Sequence, residues 1–299
     1  MPYRFESLSA LYKLLNLPET LHPLITIIHN SGEEPMPVEL SKPHTLNFYK
    51  ISYRANFHGK LKYGQSFYDF NGGGLFFVAP NQLISALEDK RDKNGYSLLI
   101  HPDFFLSYPL AKRIKQYGFF SYAANEALHL SETERETITS IFRLIELELN
   151  TRIDDFSQDV IISQIELLLN YANRFYKRQF ITRKAINNGI LEKLEDLLDN
   201  YFKTEQCLNN GIPTVQYVAD CLCISPGYLS DMLRTLIGQN AQQYIHSKLI
   251  DIAKEKLSMK GLSIQQIAYE LGFEHPQSFS KLFKTKTNLS PLEFRQFFN

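Results

Sequence analysis

An internal repeat near the C-terminus constrains the fold more than any other feature of the chain. Residues 215–240 match residues 264–290 at an offset of 49, which becomes 50 after one inserted residue. In each copy, apolar residues at helical spacing predict a helix, a short turn and a second helix. The matched pairs are Val215/Ile264, Val218/Ile267, Ala219/Ala268, Leu222/Leu271, Ile224/Phe273, Leu229/Phe279, Ser230/Ser280, Leu233/Phe283, Arg234/Lys284 and Gly238/Asn288.

Residues at the ends of the predicted helices support the same assignment. Proline suits the first helical turn, where no amide partner is lost. Glycine and asparagine accept the left-handed conformation that often ends a helix. Pro226 and Pro276 start the second helices, and Gly238 and Asn288 end them. Each copy is therefore typical of a helix-turn-helix unit, whose second helix enters the major groove of DNA.

A further helix is predicted between the two copies, over residues 241–259, with Asn240 as its cap. At 1.5 Å per residue it would be roughly 28 Å long. Second helices held at its two ends would lie about one DNA turn, roughly 34 Å, apart. We therefore expect one chain to read two successive major grooves. The first unit is predicted over about 214–238 and the second over about 263–287.

The segment 212–298 resembles the DNA-binding domain of the AraC/XylS family of bacterial transcription regulators. The resemblance rests on Ala219, Gly238, Phe279 and four runs: residues 225–230 (SPGYLS), 267–273 (IAYELGF), 283–284 (FK) and 290–295 (SPLEFR). It implies a two-unit DNA-binding domain and, in many members, a separate effector or dimerisation domain. RNA polymerase is a further candidate partner of such a regulator.

The same resemblance assigns the residues that contact DNA. Base-edge readers are expected on the outer face of each second helix: Gly227, Ser230 and Asp231 in the first, and Gln277, Ser278 and Lys281 in the second. Phosphate contacts are expected from Ser225, Tyr228, Arg234, His275 and Lys284. The alternative for each is an ordinary solvated side chain. Asp231 occupies a position that is often basic in the family, so it either accepts from a cytosine amino group or touches nothing.

Charge in the predicted DNA-binding segment is unevenly placed, although the whole chain has a net charge of zero. Residues 211–299 contain nine Lys or Arg and seven Asp or Glu. Lys281, Lys284 and Lys286 cluster on the second recognition helix, whereas the first offers only Arg234. Because phosphate contacts dominate affinity, we expect the second unit to bind more tightly, and dimerisation to add avidity.

The N-terminal part, residues 1–185, has a different pattern. Phe, Tyr and Ile are enriched in short runs between turn residues, at 24–29, 46–53, 65–70, 74–79 and 96–100, which predicts an antiparallel β-barrel or sandwich. From about 131 to 180 the period becomes helical, starting with a Ser131/Glu134 capping box. Apolar residues on more than one face there predict either intramolecular burial or a homodimer seam. The expected fold class is multidomain α+β, with residues 186–210 as a linker helix.

A small β-barrel is a natural pocket for an effector, but the residues leave the ligand open. Ten aromatic residues could line a pocket or fill a solid core, and the core interpretation is favoured. A constitutive interaction module without a ligand is the second hypothesis. The ten are Phe48, Tyr49, Tyr53, Phe57, Tyr63, Phe67, Tyr68, Phe70, Phe76 and Phe77.

Catalysis is not expected. The N-terminal histidines show no His-x-His pair of the kind that a metal enzyme on such a fold would need, and no Ser/His/Asp or phosphate-loop spacing occurs. No catalytic residue, metal or cofactor is therefore predicted. Cys207, Cys221 and Cys223 are interpreted as buried or incidental thiols rather than a disulfide framework or a zinc site. The chain has no signal peptide or apolar run of membrane-spanning length, which predicts a cytoplasmic protein.

A basic run precedes an acidic helix predicted over residues 190–202. The polar run Ile181–Gly189 leads into this acidic helix and ends in Asn-Asn-Gly, which predicts a hinge. The cations of the basic run lie either at a solvated helix end or in an interdomain contact that sets the position of the DNA-binding unit. They are Arg174, Lys177, Arg178, Arg183 and Lys184.

Overall fold

The computed structural model describes residues 3–30, 37, 40, 42–55, 60–63, 66–69, 73–84, 95–123, 126–151, 154–182, 184–204, 206–259 and 261–297. The chain divides into two compact units, Met1–Gln179 and Phe180–Asn299.

The strands of the first unit form three sheets within the described residues. The largest has the order β10–β7–β4–β9–β2, with every neighbouring pair antiparallel. A second sheet has the order β1–β3–β8, and β5 pairs with β6. The strands are β1 Tyr3–Phe5, β2 Ile25–Asn30, β3 His44–Leu46, β4 Tyr49–Arg54, β5 Lys60–Tyr63, β6 Ser66–Asp69, β7 Gly74–Val78, β8 Leu83–Ile84, β9 Gly95–Ile100 and β10 Leu128–His129.

The predicted barrel is not confirmed, because no sheet of the described strands closes on itself. The five-stranded sheet ends at β10 and β2. The three-stranded sheet shares an apolar cluster with it, in which Phe5 and Leu46 pack with Leu99 of β9. The pairing is also not wholly antiparallel, since β1 runs parallel to β3. The run at 46–53 contributes to two strands of different sheets, which a single hydrophobic run does not reveal.

The two faces of the five-stranded sheet carry different side chains, because successive residues of a strand point to opposite sides. On β4, Tyr49 packs against Phe105 and Phe120 on one face. On the same face, Tyr96 of β9 stacks on Phe142. Several aromatic residues named as core or pocket are buried: Phe48, Tyr49, Tyr53 and Phe77. Phe57, Phe70 and the side chains of Tyr63, Phe67 and Tyr68 lie outside the described residues.

The helices of the first unit are α1 Leu8–Leu14, α2 Leu110–Arg113, α3 Glu132–Asn150 and α4 Ser157–Thr182, and the last three residues of α4 belong to the second unit. The predicted Ser131/Glu134 capping box is confirmed at the start of α3. Arg178 of α4 donates to both carboxylate oxygens of Glu134, at 2.6 and 3.0 Å, and to the His129 carbonyl at 2.9 Å. The Arg178 guanidinium is therefore held within the first unit, and its interdomain role stays a prediction. Arg183 and the Lys184 side chain lie outside the described residues.

The described part of the second unit is helical. Its helices are α5 Lys184–Lys203, α6 Gln206–Asn210, α7 Val215–Leu222, α8 Pro226–Ile237, α9 Ala241–Ser258, α10 Ile264–Glu270, α11 Pro276–Thr287 and α12 Pro291–Gln296. The predicted hinge is wrong, because Asn187, Asn188 and Gly189 lie inside α5. Asn187 is buried and its amide donates to the Phe180 carbonyl, so this polar run is held by tertiary contacts.

Candidate nucleic-acid interface

The first helix-turn-helix unit consists of α7 and α8. Ala219 of α7 is fully buried, and Ile224 plugs the core from the turn with 5% of its surface exposed. The Ser225 hydroxyl caps α8 by accepting from the Tyr228 amide at 3.2 Å. Cys223 ends α7 in the left-handed conformation, with φ 57° and ψ 38°. This conformation carries strain in a residue other than glycine.

The second helix-turn-helix unit consists of α10 and α11 and repeats the arrangement of the first helix-turn-helix unit. Ala268 is fully buried and Phe273 plugs the core from the turn. Gly272, which corresponds to Cys223, is also left-handed, with φ 84°. The helix ends correspond as well, because Gly238 and Asn288 both follow their recognition helices in the left-handed conformation. The repeat in the sequence is therefore a repeat in the backbone.

Gly272 also lies close to the backbone of Gly211 and Ile212, a contact that the repeat does not explain. A Cβ placed on this residue would lie 2.6 Å from the Gly211 carbonyl carbon and 2.9 Å from the Ile212 amide nitrogen. Because real side chains do not approach backbone so closely, only glycine fits. The turn of the second helix-turn-helix unit therefore packs directly on the backbone that leads into the first helix-turn-helix unit.

Helix α9 connects the two units. It has 18 residues, so its length is roughly 27 Å. The Asn240 side chain accepts from the Gln243 amide, and the Gln243 side chain accepts from the Asn240 amide, both at 2.9 Å. Its inner face is buried along the whole length, at Ala241, Ile245, Leu249, Ile250, Ala253 and Leu257. The connection is therefore a capped and well-packed helix rather than a flexible tether.

The outer face of α8 is only partly available. Ser230 and Asp231 are half-buried, as is Gly227, and Arg234 is exposed. The Arg234 guanidinium donates to the Asp231 carboxylate. This ion pair joins a predicted base reader to a predicted phosphate contact, so the first recognition helix carries no net charge at these two positions.

Tyr228 requires a correction to the predicted phosphate contacts. Only 4% of its surface is exposed, and its ring meets the Phe180 ring edge-on at 5.0 Å. The Tyr228 side chain thus packs inside the second compact unit, Phe180–Asn299, instead of lying on the outer face of α8. Sequence reasoning missed this contact because Phe180 lies 48 residues earlier in the chain.

The outer face of α11 differs sharply from that of α8. All five predicted contacts on this unit are exposed: His275, Gln277, Ser278, Lys281 and Lys284. Lys286 is exposed one residue before the last of the helix. No ion pair to any of these three lysines is found in the part of the chain that the structure describes. The lysine ammonium groups on α11 are therefore available to an anionic partner.

Several other cations of the second unit are already paired. Lys248 on α9 meets Asp199 of α5 at 2.6 Å, and this hydrogen bond is the main cause that lowers the pKa of Asp199. Lys256 meets Glu270 at 2.6 Å, and Lys254 meets Asp251 at 3.0 Å. Among the described residues, the three lysines of α11 thus lie together on one helix without an ion pair, unlike Lys248, Lys254 and Lys256.

Helix α5 is an integral part of this domain. Besides the Asp199–Lys248 pair, Glu195 accepts from the Tyr244 hydroxyl at 3.2 Å. Burial, followed by the charge of Glu195, raises the pKa of Tyr244 to about 12. The Tyr201 hydroxyl donates to the Gly211 carbonyl at 3.0 Å, and its ring packs against Tyr217. The acidic helix therefore supports both α9 and the entry to α7.

The cysteines take up different environments. Cys207 is buried, and burial raises the pKa of its thiol to about 11. Cys221 and Cys223 are exposed free thiols. Among the described residues, no group of three or more His, Cys, Asp or Glu side chains has the geometry to hold a metal ion. No helix in the described ranges is long and apolar enough to span a bilayer.

Comparison with known proteins supports the DNA-binding assignment of this unit. Residues 218–296 match the family model described as a helix-turn-helix domain. The arabinose operon regulatory protein of Escherichia coli K12 is 35% identical over 78 residues, which cover 26% of this chain and 27% of that protein. The chain spans about a quarter of the length of several such curated relatives.

Two further matches differ in how much of this chain they cover. The uncharacterized HTH-type transcriptional regulator YfiF of Bacillus subtilis is 22% identical over 276 residues, with 85% of this chain and 79% of that protein covered. The solved C-terminal domain of the two-component response regulator yesN from Fusobacterium nucleatum is 27% identical, with a TM-score of 0.31. That match covers 35% of this chain and 95% of the solved domain.

Proposed function

We propose, from the premise that the C-terminal unit is a DNA-binding domain of the AraC/XylS type found in bacterial transcription regulators, that the whole chain is a sequence-specific transcription regulator. The observation that carries the proposal is the exposed lysine surface of α11, which has no ion pair among the described residues and lies on the second helix of a helix-turn-helix unit. Lys281 is the predicted guanine reader, and Lys284 the predicted phosphate contact.

In this proposal the two recognition helices read successive major grooves of one duplex. Helix α9 holds them at a spacing close to one turn of DNA, since it is roughly 27 Å long. Helix α11 supplies most of the electrostatic affinity. Helix α8 contributes Gly227, Ser230 and Asp231 to reading the second groove, with its charge largely neutralised by the Asp231–Arg234 pair.

The proposal is tested by mapping which genomic fragments the purified full chain retains, followed by binding isotherms on a retained duplex. Lys281→Ala should weaken binding well beyond tenfold, because it removes both a bidentate base contact, worth about 1–3 kcal/mol of discrimination, and a cation that faces the phosphates. Lys112→Ala, at an exposed lysine of the first unit, is the matched control and should leave the isotherm unchanged. An unchanged isotherm for Lys281→Ala would contradict the placement of α11 in the groove.

We further propose that the chain is a homodimer through residues 131–180. The support is an apolar stripe at the start of α4, formed by Phe156, which directly precedes the helix, and by Val160 and Leu167; they are 71%, 39% and 43% exposed. These residues line a shallow groove of about 360 Å³. Exposed apolar surface of this kind commonly marks an interaction site, and a second copy of the same stripe is its simplest complement.

The dimer is tested by sedimentation of the full chain. Leu167→Asp places a charge on the stripe and should shift the chain to monomer at micromolar concentration. Leu21→Asp changes a residue that is 69% exposed elsewhere in the unit, and should leave the dimer intact. A monomeric wild-type chain would overturn this part of the proposal.

We also propose that a small-molecule effector bound in residues 1–185 controls DNA binding. Ligand binding to the folded state stabilises it by RT ln(1 + [L]/Kd). A thermal-shift screen of metabolites should therefore identify at least one stabilising compound. The constitutive interaction module is the competing outcome, in which no compound raises the midpoint. Contact with RNA polymerase is proposed only by analogy with the family.

A further inference from the structure

A groove of about 720 Å³ lies between helix α6 and the turn of the second helix-turn-helix unit. One wall is the segment 207–212, which leads from α6 toward α7, and the other is the segment 272–278, which leads into α11. The close approach of Gly272 to the Gly211 backbone brings the two walls together. The groove therefore lies at the junction of the two helix-turn-helix units.

Helix α6 is fixed to its neighbours on both sides. Cys207 is 1% exposed, and its thiol donates to the Tyr201 carbonyl of α5 at 3.7 Å. The Gly211 amide donates to the Cys207 carbonyl at 3.0 Å. The Tyr217 hydroxyl of α7 donates to the Gln206 side-chain oxygen at 3.5 Å. The outward side chains of α6 therefore project from a well-anchored backbone.

The two walls carry polar side chains that face a common space. Asn209 and Asn210 on the α6 side are exposed, and neither side chain makes a hydrogen bond among the described residues. His275 and Ser278 on the other side are exposed and are predicted DNA contacts. Because a side-chain amide both donates and accepts, the two asparagines extend a predicted DNA-contacting surface with unused hydrogen-bonding groups.

The charge of the groove excludes a phosphate as its occupant. Glu274 lines it, whereas none of the described lining residues is a lysine or an arginine. A carboxylate repels phosphate oxygens, so the groove suits an uncharged surface that forms hydrogen bonds. Leu208 and Tyr269, which are 56% and 42% exposed, add apolar surface to the same groove. Base edges and deoxyribose rings have this combination of polar and apolar groups.

We propose that this groove lies over the minor groove of the operator, where Asn209 and Asn210 bind base edges and sugars. Two recognition helices in successive major grooves on one side of a duplex leave the intervening minor groove facing the junction of their units. Minor-groove edges present adenine N3 and thymine O2 as acceptors and the guanine amino group as a donor, which an amide can match. This inference rests on the proposed function and adds a third DNA-contacting element to it.

The experiment combines hydroxyl-radical footprinting and binding isotherms of the full chain on a retained duplex. The wild type should protect deoxyriboses across the minor groove between the two major-groove contacts. Asn209→Ala/Asn210→Ala should lose this central protection and weaken binding roughly fivefold or more, since one net hydrogen bond is worth about fivefold. Asn188→Ala, at an exposed asparagine of α5 outside the groove, is the matched control and should change neither result.

The dependence of binding on salt separates this contact from a phosphate contact. Because asparagine is uncharged, the double variant should keep the wild-type slope of log K against log[salt]. A slope lowered by about 0.9 would assign the contact to a phosphate and overturn the inference. So would central protection that survives in the double variant, or an isotherm that equals that of the wild type.

Two further measurements separate failure of this inference from other failures. Circular dichroism and the unfolding midpoint show whether the double variant is folded; if it is not, the single variants Asn209→Ala and Asn210→Ala should each lose part of the central protection. Methylation of guanine N7 reports the major-groove contacts. A wild-type chain that protects the major grooves but not the sugars between them refutes only this inference, whereas a wild-type chain that retains no DNA refutes the proposed function.

Discussion

The difference in available charge between α8 and α11 predicts which recognition helix supplies the electrostatic affinity for DNA. Two double variants remove the relevant charges. Lys281→Gln/Lys284→Gln removes two exposed cations that have no partner among the described residues. Asp231→Asn/Arg234→Gln removes an existing ion pair, so the net charge of the domain does not change.

The expected magnitudes follow from counterion release. Each phosphate contact contributes about 0.9 to the slope of log K against log[salt]. One contact is therefore worth about fivefold in affinity at 0.15 M salt, and two contacts about thirtyfold. On DNA of arbitrary sequence Lys281 has no specific guanine to read and its charge faces the phosphates as that of Lys284 does, so we expect the lysine pair to lower the slope by about 1.8. The Asp231/Arg234 pair should change affinity by less than about twofold and leave the slope intact.

The assay is fluorescence anisotropy with a labelled 30-base-pair duplex of arbitrary sequence, titrated at several salt concentrations. Arbitrary DNA isolates the phosphate contribution, because non-specific binding is essentially electrostatic. A slope that falls by about 0.9 in the Asp231/Arg234 variant would refute the reasoning. It would show that Arg234 leaves Asp231 to contact a phosphate, and that the charge on α8 is available after all.

Three further predictions concern stability. Lys50→Met should raise the free energy of unfolding at pH 7 by about 3 kcal/mol in urea titrations, since the lysine pKa falls from 10.5 to about 8 on folding. A lowered lysine pKa costs stability only where the lysine of the unfolded chain is protonated. The gain in the free energy of unfolding should therefore shrink as pH rises from 8 through 10.5. Cys223→Gly should stabilise the chain by about 0.5–1 kcal/mol in the same assay, because it relieves a left-handed cysteine, whereas a destabilised variant would contradict that account. Gly272→Ala should lower the thermal midpoint of the second unit far more than Gly238→Ala, since both are left-handed but only Gly272 has backbone within 3 Å of the added carbon.

The helices of the second unit were predictable because their determinants are local. The periodicity of α7 and α10, the prolines at the start of α8 and α11, and the Asn240 cap all act within a few residues of one another. Even the Asp231–Arg234 pair has a local signal, since residues three apart on a helix lie side by side. Sequence reasoning assigned these two residues separate roles and overlooked their spacing.

Contacts between distant segments were not predictable in the same way. Asp199 and Lys248 lie 49 residues apart, and neither shows in the sequence that it will meet the other. The alternation on β4 does place Lys50 on the opposite face from Tyr49. A polar face of an antiparallel sheet normally faces solvent, and only the apolar cluster shared with the second sheet reveals that Lys50 is enclosed.

The net charge of zero is therefore compatible with a DNA-binding surface, because the arrangement of acids matters more than their number. Acidic residues of α5 neutralise Lys248 and hold Tyr244, on the helix that joins the two units. They take up positive charge on the connecting helix, whereas the lysines of α11 have no ion-pair partner in the part of the chain that the structure describes. A domain with a single electrostatic anchor binds weakly by itself, since affinity grows with the number of phosphate contacts. Two such domains in one dimer would each contribute an anchor, and the second would bind at the high effective concentration set by the first. The asymmetry between α8 and α11 thus gives a physical reason to expect that dimerisation, rather than the isolated chain, sets the affinity for an operator.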